Sequence, residues 1–243
     1  MRISFVIAAL VVTLPHQARA ETWSGTGELG LVISRGNSNS ETLNTKLGLS
    51  REHERWKHSL AVAALRSERD GDRTANRWEL GGKSDFKMSE VSYVYGTMRY
   101  ENDDFAPFDY QWTAALGYGR KLIDSERTKL SFEAGPGYRR ARPRDLISPI
   151  SGAPIEQDVE SDLILRAGGN LTYRISDTTE LSNTTLVEAG DENTFLKNEL
   201  GVQVRINARL AMKAGYQLRR SSETSGDTRK TDTLTTLNLV YSF

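Results

Sequence analysis

The chain has 243 residues, of which 32 are Lys or Arg and 32 are Asp or Glu, and it contains no Cys. Without Cys, a disulfide scaffold and a Cys-ligated metal site are both excluded. The balanced charge gives no basic surplus for nucleic acid, and the 37% hydrophobic content argues against a helical membrane protein.

The first twenty residues have the three parts of a secretory signal peptide, namely Arg2, the apolar run 3–14 and the ending Ala18-Arg19-Ala20. The apolar run is shorter than the roughly twenty residues that a membrane-spanning helix needs. We therefore expect a cleaved signal peptide over residues 1–20 and one mature domain over residues 21–243.

Beyond the signal peptide, apolar residues recur at every second position, which is the period of strands and not of helices. Between Val159 and Ile175, seven of the nine odd positions are apolar, and Ile164 is the only apolar residue at an even position. Such segments predict an all-β chain of about 12 strands. The predicted strands are 22–34, 41–51, 56–66, 75–86, 91–101, 109–122, 129–141, 158–175, 180–189, 194–206, 210–220 and 231–243.

The segment 91–101 departs from the pattern because its apolar residues fall on both faces. Val91 and Tyr95 favour one face, whereas Val94 and Met98 favour the other. This arrangement predicts a β-bulge or a different register in the fifth strand.

The predicted connections alternate in length along the chain. Short turns are expected at 52–55, 87–90, 123–128, 176–179 and 207–209. The intervening loops are mostly longer and more acidic, at 67–74, 102–108, 142–157 and 221–230, although 35–40 and 190–193 are short. Short turns on one rim and longer loops on the other are typical of outer-membrane barrels, whose short turns face the periplasm.

Both a membrane barrel and a soluble β-sandwich would alternate in this way. Strand length favours the barrel, because soluble strands cluster near five or six residues and tilted transmembrane strands need about nine to eleven. We therefore predict an antiparallel transmembrane β-barrel, with a secreted soluble β-domain as the alternative.

The strand faces opposite the apolar rows carry charges of both signs, and a barrel would place them in its lumen. In a sandwich core each ionised group would cost several kcal/mol unless paired, whereas on the outside of a sandwich they would be ordinary. The expected lumen charges are Glu133, Arg139, Glu160, Asp162, Arg166, Arg174, Arg205 and Lys213, and the same faces carry Glu28, Lys46, Arg77, Glu79, Lys83, Asp85, Lys197, Glu199 and Arg219.

The last predicted strand ends in an alternating row formed by Leu237, Leu239, Tyr241 and Phe243. This ending resembles the signal that bacterial outer-membrane barrels present to the barrel assembly machinery. We therefore expect these residues to be an assembly signal, and the strand to pair with residues 22–34. Expected partners are the assembly machinery, outer-membrane lipids and lipopolysaccharide, but not nucleic acid, and the oligomeric state is left open.

Several short motifs stand in a defined order along the chain. They are Gly36-Asn37-Ser38, Tyr95-Gly96, Arg99-Tyr100-Glu101, Asp103, Phe105, Gly117-Tyr118-Gly119 and Gly135-Pro136-Gly137-Tyr138-Arg139. Their order and spacing resemble the salt-induced outer-membrane protein family of bacteria over essentially the whole mature chain. The resemblance implies an outer-membrane barrel associated with salt or osmotic response, with no established reaction and no catalytic residues to transfer.

Two patterns that could carry chemistry are weak. Residues 25–30 match the G-x-G-x-x-G dinucleotide motif, but that motif needs a strand before it and a helix after it, and here it falls inside the first predicted strand. The mature chain has two histidines, His53 in a predicted periplasmic turn and His58 on the face of Trp56, and neither has a nucleophile in its own segment. We expect no catalytic residues, no cofactor and no metal site.

Acidic pairs in the predicted loops could contact the divalent cations that bridge lipopolysaccharide, because hard cations prefer oxygen ligands. None has the spacing of a calcium-binding loop, so solvated carboxylates are expected at Asp70 and Asp72, Asp103 and Asp104, and Asp191 and Glu192.

The sequence as a whole predicts a non-enzymatic barrel that forms a narrow pore or stabilises the envelope. Eight strands leave a lumen filled by side chains and sixteen or more leave an open channel, so about 12 strands should enclose a small, partly blocked lumen. Charges of mixed sign predict weak ion selectivity. The alternatives are the soluble β-domain that binds a ligand or partner, and an outer-membrane hydrolase.

Overall fold

The structure is a computed structural model that describes residues 23–34, 39–147, 154–223 and 229–243. The expected signal peptide and the Gly36-Asn37-Ser38 motif lie outside these residues. Among the residues described, no helix is long and apolar enough to cross a membrane.

Twelve long strands form one closed antiparallel barrel, as the sequence predicts. A separate two-stranded antiparallel sheet, β8 with β9, lies in the sequence between β7 and β10. The strands are β1 Ser24–Ser34, β2 Ser40–His53, β3 Trp56–Arg69, β4 Asp72–Lys87, β5 Ser92–Asp103, β6 Phe108–Asp124, β7 Thr128–Pro143, β8 Leu146–Ile147, β9 Pro154–Ile155, β10 Glu160–Arg174, β11 Thr179–Gly190, β12 Thr194–Arg205, β13 Leu210–Ser221 and β14 Thr231–Ser242.

The two faces of the barrel wall are inverted relative to a soluble protein. Large apolar side chains are exposed on the outside, with Leu163 79% and Leu116 70% exposed. Carboxylates are buried inside, with Glu101 0% and Glu188 1% exposed. A closed barrel leaves no unpaired strand edge in lipid, and its apolar outer surface can contact the lipid chains while the charges lie inside. The protein is therefore a membrane-spanning β-barrel, and this surface does not fit the soluble β-domain alternative.

The first long loop expected from the sequence is absent from the structure. Residues 67–74 belong mostly to β3 and β4, which are joined by the two-residue turn Asp70-Gly71. Both turn residues have positive φ, 53° and 94°, as a tight two-residue hairpin requires. The charged residues around the turn indicated a loop, but strand ends beyond the bilayer can carry charge on both faces. The loop expected at 102–108 likewise shortens to residues 104–107.

The expected irregularity in the fifth strand is also wrong, because β5 pairs with β4 and β6 in continuous register. Val94 and Met98 face outward, and Tyr95 is buried inside. The bulges lie in other ladders, between β3 and β4 and between β6 and β7. Aromatic residues therefore occupy both faces of β5, which is why its alternation is hidden in the sequence.

Two glycines of β6 make room for the inward tyrosines of β5. A Cβ at Gly119 would lie 2.3 Å from the ring of Tyr93, and a Cβ at Gly117 would lie 2.7 Å from the hydroxyl oxygen of Tyr95. Real Cβ atoms do not approach so closely, so the motif Gly117-Tyr118-Gly119 is a packing surface for two rings.

The seam between the first and last strands is the shortest ladder of the barrel, with four residue pairs from Thr26–Ser242 to Leu29–Leu239. Two further hydrogen bonds join Gly25 and Phe243, N to O at 2.8 Å and 2.9 Å. The ring of Phe243 lies directly over Gly25, where a Cβ would be 2.3 Å away. The glycines of the G-x-G-x-x-G pattern thus lie within a strand, and no dinucleotide motif is formed.

Replacing Gly119 by Ala should destabilise the folded barrel by about 1–3 kcal/mol, because the added methyl group overlaps the Tyr93 ring. The matched control is Gly27→Ala, since a Cβ at Gly27 meets no atom within 4 Å. Urea unfolding of both variants in detergent micelles measures the difference. Equal stability of the two variants would contradict the packing role of Gly119.

Candidate functional site: the ion-paired lumen

Charged side chains on the inward faces meet in the middle of the barrel. Arg99 on β5 donates to Glu101 on the same strand at 2.5 Å, and its other terminal nitrogen pairs with Glu188 on β11. Arg219 on β13 pairs with the second carboxylate oxygen of Glu101. One buried carboxylate therefore holds two guanidinium groups, and a second neutralises one of them.

Some of these ion pairs cross the full width of the lumen. β5 and β13 are six positions apart in the twelve-strand order, so the Arg219–Glu101 pair joins opposite walls. β4 and β12 are also opposite, and Lys197 Nζ lies 3.1 Å from both oxygens of Glu79. Direct contact between opposite walls obstructs the lumen at this level of the barrel.

An aromatic ring supports the central cluster. The guanidinium carbons of Arg99 and Arg219 each lie 5.1 Å from the ring centroid of Phe195 on β12. Stacking on an aromatic face stabilises a cation and fixes the plane of its guanidinium group. Phe195 thus orients both arginines toward Glu101.

A second cluster lies around Glu133 on β7. Its carboxylate pairs with Lys83, accepts a hydrogen bond from the Tyr93 hydroxyl at 2.8 Å, and lies 3.3 Å from Arg166 Nη1. Lys83 Nζ and the guanidinium carbon of Arg166 each lie 5.2 Å from the ring centroid of Tyr95. Lys83 Nζ also lies 5.1 Å from the ring centroid of Tyr93. The two tyrosines that the β6 glycines accommodate are therefore part of the lumen chemistry.

A third cluster stands next to the seam. Lys213 Nζ lies 2.7 Å from Glu28, whose other oxygen accepts a hydrogen bond from Asn238 at 3.1 Å. Because β1 and β13 are separated only by β14, this pair follows the wall and does not cross the lumen. It provides a natural comparison for the crossing pairs.

The loop 104–107 joins β5 to β6 at the barrel mouth that carries the longer loops, and Arg144 holds it there. The Arg144 side chain donates to the carbonyl oxygens of Ala106 and Asp103 at 2.9 Å and 2.6 Å, and to Asp109 at 2.8 Å. Its backbone N–H donates to the carbonyl of Pro107 at 3.0 Å. Arg144 therefore joins the loop and the strand ends on both sides of it through four hydrogen bonds.

A family model described as a protein of unknown function, DUF481, matches residues 27–243. The chain belongs to the DUF481 family. The uncharacterised protein YdiY of Escherichia coli (strain K12) is 24% identical over 221 residues, which cover 90% of this chain and 83% of that protein.

Solved structures show the same fold at low identity. The translocator domain of the autotransporter NalP from Neisseria meningitidis matches with a TM-score of 0.54 and 16% identity, over 91% of this chain and 87% of that domain. An outer-membrane channel from Pseudomonas putida F1 matches with a TM-score of 0.51 and 13% identity, over 93% of this chain and 96% of that channel. This DUF481 protein therefore has the fold of outer-membrane barrels.

The eight residues expected from the sequence as lumen charges lie in three places in the DUF481 barrel: the lumen, the mouth with the longer loops, and the strand ends near the short turns. Glu133, Arg139, Asp162, Arg166 and Lys213 point inward and are ion-paired. Glu160 is exposed at the mouth with the longer loops.

Two of those residues require correction, because Arg174 and Arg205 are exposed at the strand ends near the short turns. Arg205 donates to the backbone carbonyl of Asp177 in the neighbouring turn. Strand ends leave the bilayer, so alternation no longer fixes a lumen position there.

Arg99, Glu101 and Glu188 are central to the lumen but were missed as candidates. The two β5 residues stood in the strand whose faces the sequence left ambiguous. Asp103 was expected to be solvated but is buried, 3.5 Å from Arg77. Assigning the faces of β5 from its paired neighbours would have identified Arg99, Glu101 and Asp103.

The histidine of β3 lies on the outer face of the wall. His58 stacks on Trp56 at 5.7 Å, and its Nδ1 lies 2.9 Å from the Ser84 hydroxyl. His58 and Ser84 are directly opposite in the β3–β4 ladder, whose backbone groups are used in strand pairing. Within the described residues no carboxylate hydrogen-bonds the His58 ring.

Replacing Glu101 by Gln should destabilise the barrel by about 3 kcal/mol, because the Arg99 and Arg219 guanidinium groups would then share too little negative charge. The matched control is Glu68→Gln, which breaks the exposed pair with Arg66 and should cost less than about 1 kcal/mol. Chemical unfolding in micelles gives both values. Equally small effects would show that the central cluster contributes no more than a surface pair.

Proposed function

We propose that this protein is a non-enzymatic outer-membrane barrel whose lumen is closed by ion pairs and passes at most small solutes through a narrow pore. The observation that carries the proposal is the pairing of Glu79 with Lys197 and of Glu101 with Arg219 between opposite strands. A barrel of this kind stabilises the envelope without making it generally permeable.

The charge pattern supports weak selectivity in any residual pathway. Cations and carboxylates alternate through the clusters of the lumen, so neither cations nor anions meet a wall of one sign. Large single-sign fields are what steer and select ions. The loop held by Arg144 restricts access from one mouth as well.

The proposal includes a role in salt or osmotic stress, which the family resemblance implies. Surface ion pairs weaken as the ionic strength rises, whereas buried pairs are screened much less. Of the two crossing pairs, Arg219–Glu101 has almost no solvent contact and Lys197–Glu79 is partly buried. They would therefore keep the barrel closed when external salt is high.

The proposed route to the membrane uses both ends of the chain. Residues 1–20 serve as the export signal, and Leu237, Leu239, Tyr241 and Phe243 serve as the recognition row for the barrel assembly machinery. All four of these side chains are exposed on the outer surface of β14 or at its end. Lipids and lipopolysaccharide are the partners of the finished barrel.

In planar bilayers the native protein should give small conductance steps or none. Replacing Glu79, Lys197, Glu101 and Arg219 together by Ser removes both crossing pairs without changing the net charge, and should produce clear steps of several-fold larger conductance. Large, stable and strongly selective steps from the native protein would contradict the closed lumen.

The control for this experiment is the pair Glu28→Ser with Lys213→Ser, which removes an ion pair that follows the wall. It should leave the conductance near the native level. Heat-modifiable migration in detergent gels verifies that each variant is folded. A folded four-residue variant with native conductance would overturn the claim that the crossing pairs close the lumen.

Changing Tyr241 and Phe243 together to Ser should greatly reduce folded barrel in the outer membrane while leaving signal cleavage after Ala20 intact. The change removes the aromatic end of the row and the ring that covers Gly25 at the short seam. Trp78→Ser with Tyr100→Ser, which removes another exposed aromatic contact, is the control. Normal levels of folded protein from the first variant would argue against the assembly signal.

A further inference from the structure

A cavity of about 400 Å³ opens at the mouth that carries the longer loops, separate from the clusters that close the lumen. We call it the vestibule, and its lining includes Pro107, Phe108, Gln111, Arg139, Glu160 and Glu192. Its floor is buried, whereas Glu160 and Glu192 at its edge are exposed. The size is within the range of small-molecule sites in proteins.

The floor of the vestibule has hydrogen-bond donors without acceptors. Gln111 is 2% exposed and Arg139 3% exposed, and both side chains line the cavity. Gln111 Nε2 and Arg139 Nη1 have no hydrogen-bond partner among the residues that the structure describes. Unsatisfied buried donors are costly, so the site is suited to a ligand that brings an acceptor.

Arg139 is also held rigidly for such a role. Its other nitrogens donate to Asp162 at 3.1 Å and 2.7 Å and to the carbonyl of Asn193 at 2.8 Å. Gly190 permits this arrangement, because a Cβ there would lie 2.2 Å from the Asp162 carboxylate. The free Nη1 therefore belongs to a guanidinium group whose position is already fixed.

The edge of the vestibule carries an excess of negative charge. Asp162 is neutralised by Arg139, but Glu160, Asp191, Glu192 and Glu223 form no ion pair within the described part of the chain. In those same residues no group of three or more ligating side chains is arranged to hold a metal ion. Spread carboxylates of this kind suit an organic ammonium group better than a compact metal ion.

One wall between the floor and the edge is apolar. Pro107, Phe108, Ala141 and Pro143 contribute to it. An aliphatic chain could lie along this wall with one end at the buried donors and the other at the carboxylates. The three surfaces together specify a molecule with a carboxylate, an aliphatic chain and a terminal ammonium group.

We propose that the vestibule binds small aliphatic diamino acids, with the ligand carboxylate at Gln111 and Arg139, its aliphatic chain on the Pro107–Phe108 wall, and its terminal ammonium group among the unpaired carboxylates. Binding requires the barrel and its mouth but no passage through the lumen. A failure of this proposal would therefore leave the closed-lumen function unaffected.

The test is calorimetric titration of the full mature protein in detergent micelles with three probes. Lysine carries all three recognised features, cadaverine lacks the carboxylate, and norleucine lacks the terminal ammonium group. Lysine should bind about tenfold more tightly than either of the other two. No binding of lysine, or cadaverine binding as tightly as lysine, would overturn the proposal.

Two variants assign the contacts. Gln111→Leu should weaken lysine about tenfold and leave cadaverine unchanged, because it removes a donor that only the carboxylate uses. Glu160→Gln with Glu192→Gln changes exposed residues and should weaken both lysine and cadaverine. If folded Gln111→Leu protein binds lysine as the native protein does, the vestibule merely accumulates cations and the assigned contacts are wrong.

Discussion

The structure depends on one constraint: a strand in lipid must direct its charged side chains into the barrel, and a narrow barrel gives them few places to be solvated. Each buried carboxylate must therefore find a cation across the lumen or along the wall. Glu101 does so with Arg99 and Arg219, and Glu79 does so with Lys197. The ion pairs that cross the lumen follow from this requirement.

Strand β5 shows how packing and electrostatics depend on each other. Its inward face carries Tyr93 and Tyr95 near one end and Arg99 and Glu101 further along. The tyrosines lie over glycines of β6 and support the cations that neutralise Glu133. Removing a glycine or a carboxylate would therefore disturb the same interior, through overlap in one case and unpaired charge in the other.

Local pattern was sufficient to predict the architecture. The period-two alternation gave the strand count and most strand bounds, because one lipid-facing row per strand is a local property. It failed at 67–74 and at Arg174 and Arg205, where strands leave the bilayer and the environment no longer alternates. It also failed for β5, where tyrosines occupy the inward face that alternation expects to be polar.

The partners in the lumen could not be predicted in the same way. Glu79 and Lys197 are separated by 118 residues, and only closure of the barrel brings them together. The role of Arg144 is likewise set by the path of a loop, which alternation does not encode. Charge content indicated a polar interior, but the choice of partner depends on register and shear around the whole barrel.

The central claim is that these pairs join opposite walls, and a double-mutant cycle between Glu79 and Lys197 tests it most directly. The free energy of unfolding is measured for the native protein, Glu79→Gln, Lys197→Met and the double variant. The two residues lie on opposite strands and can couple only across the lumen, so the account predicts a coupling energy of about 1–3 kcal/mol. Additive effects of the two substitutions, with no coupling, would contradict it.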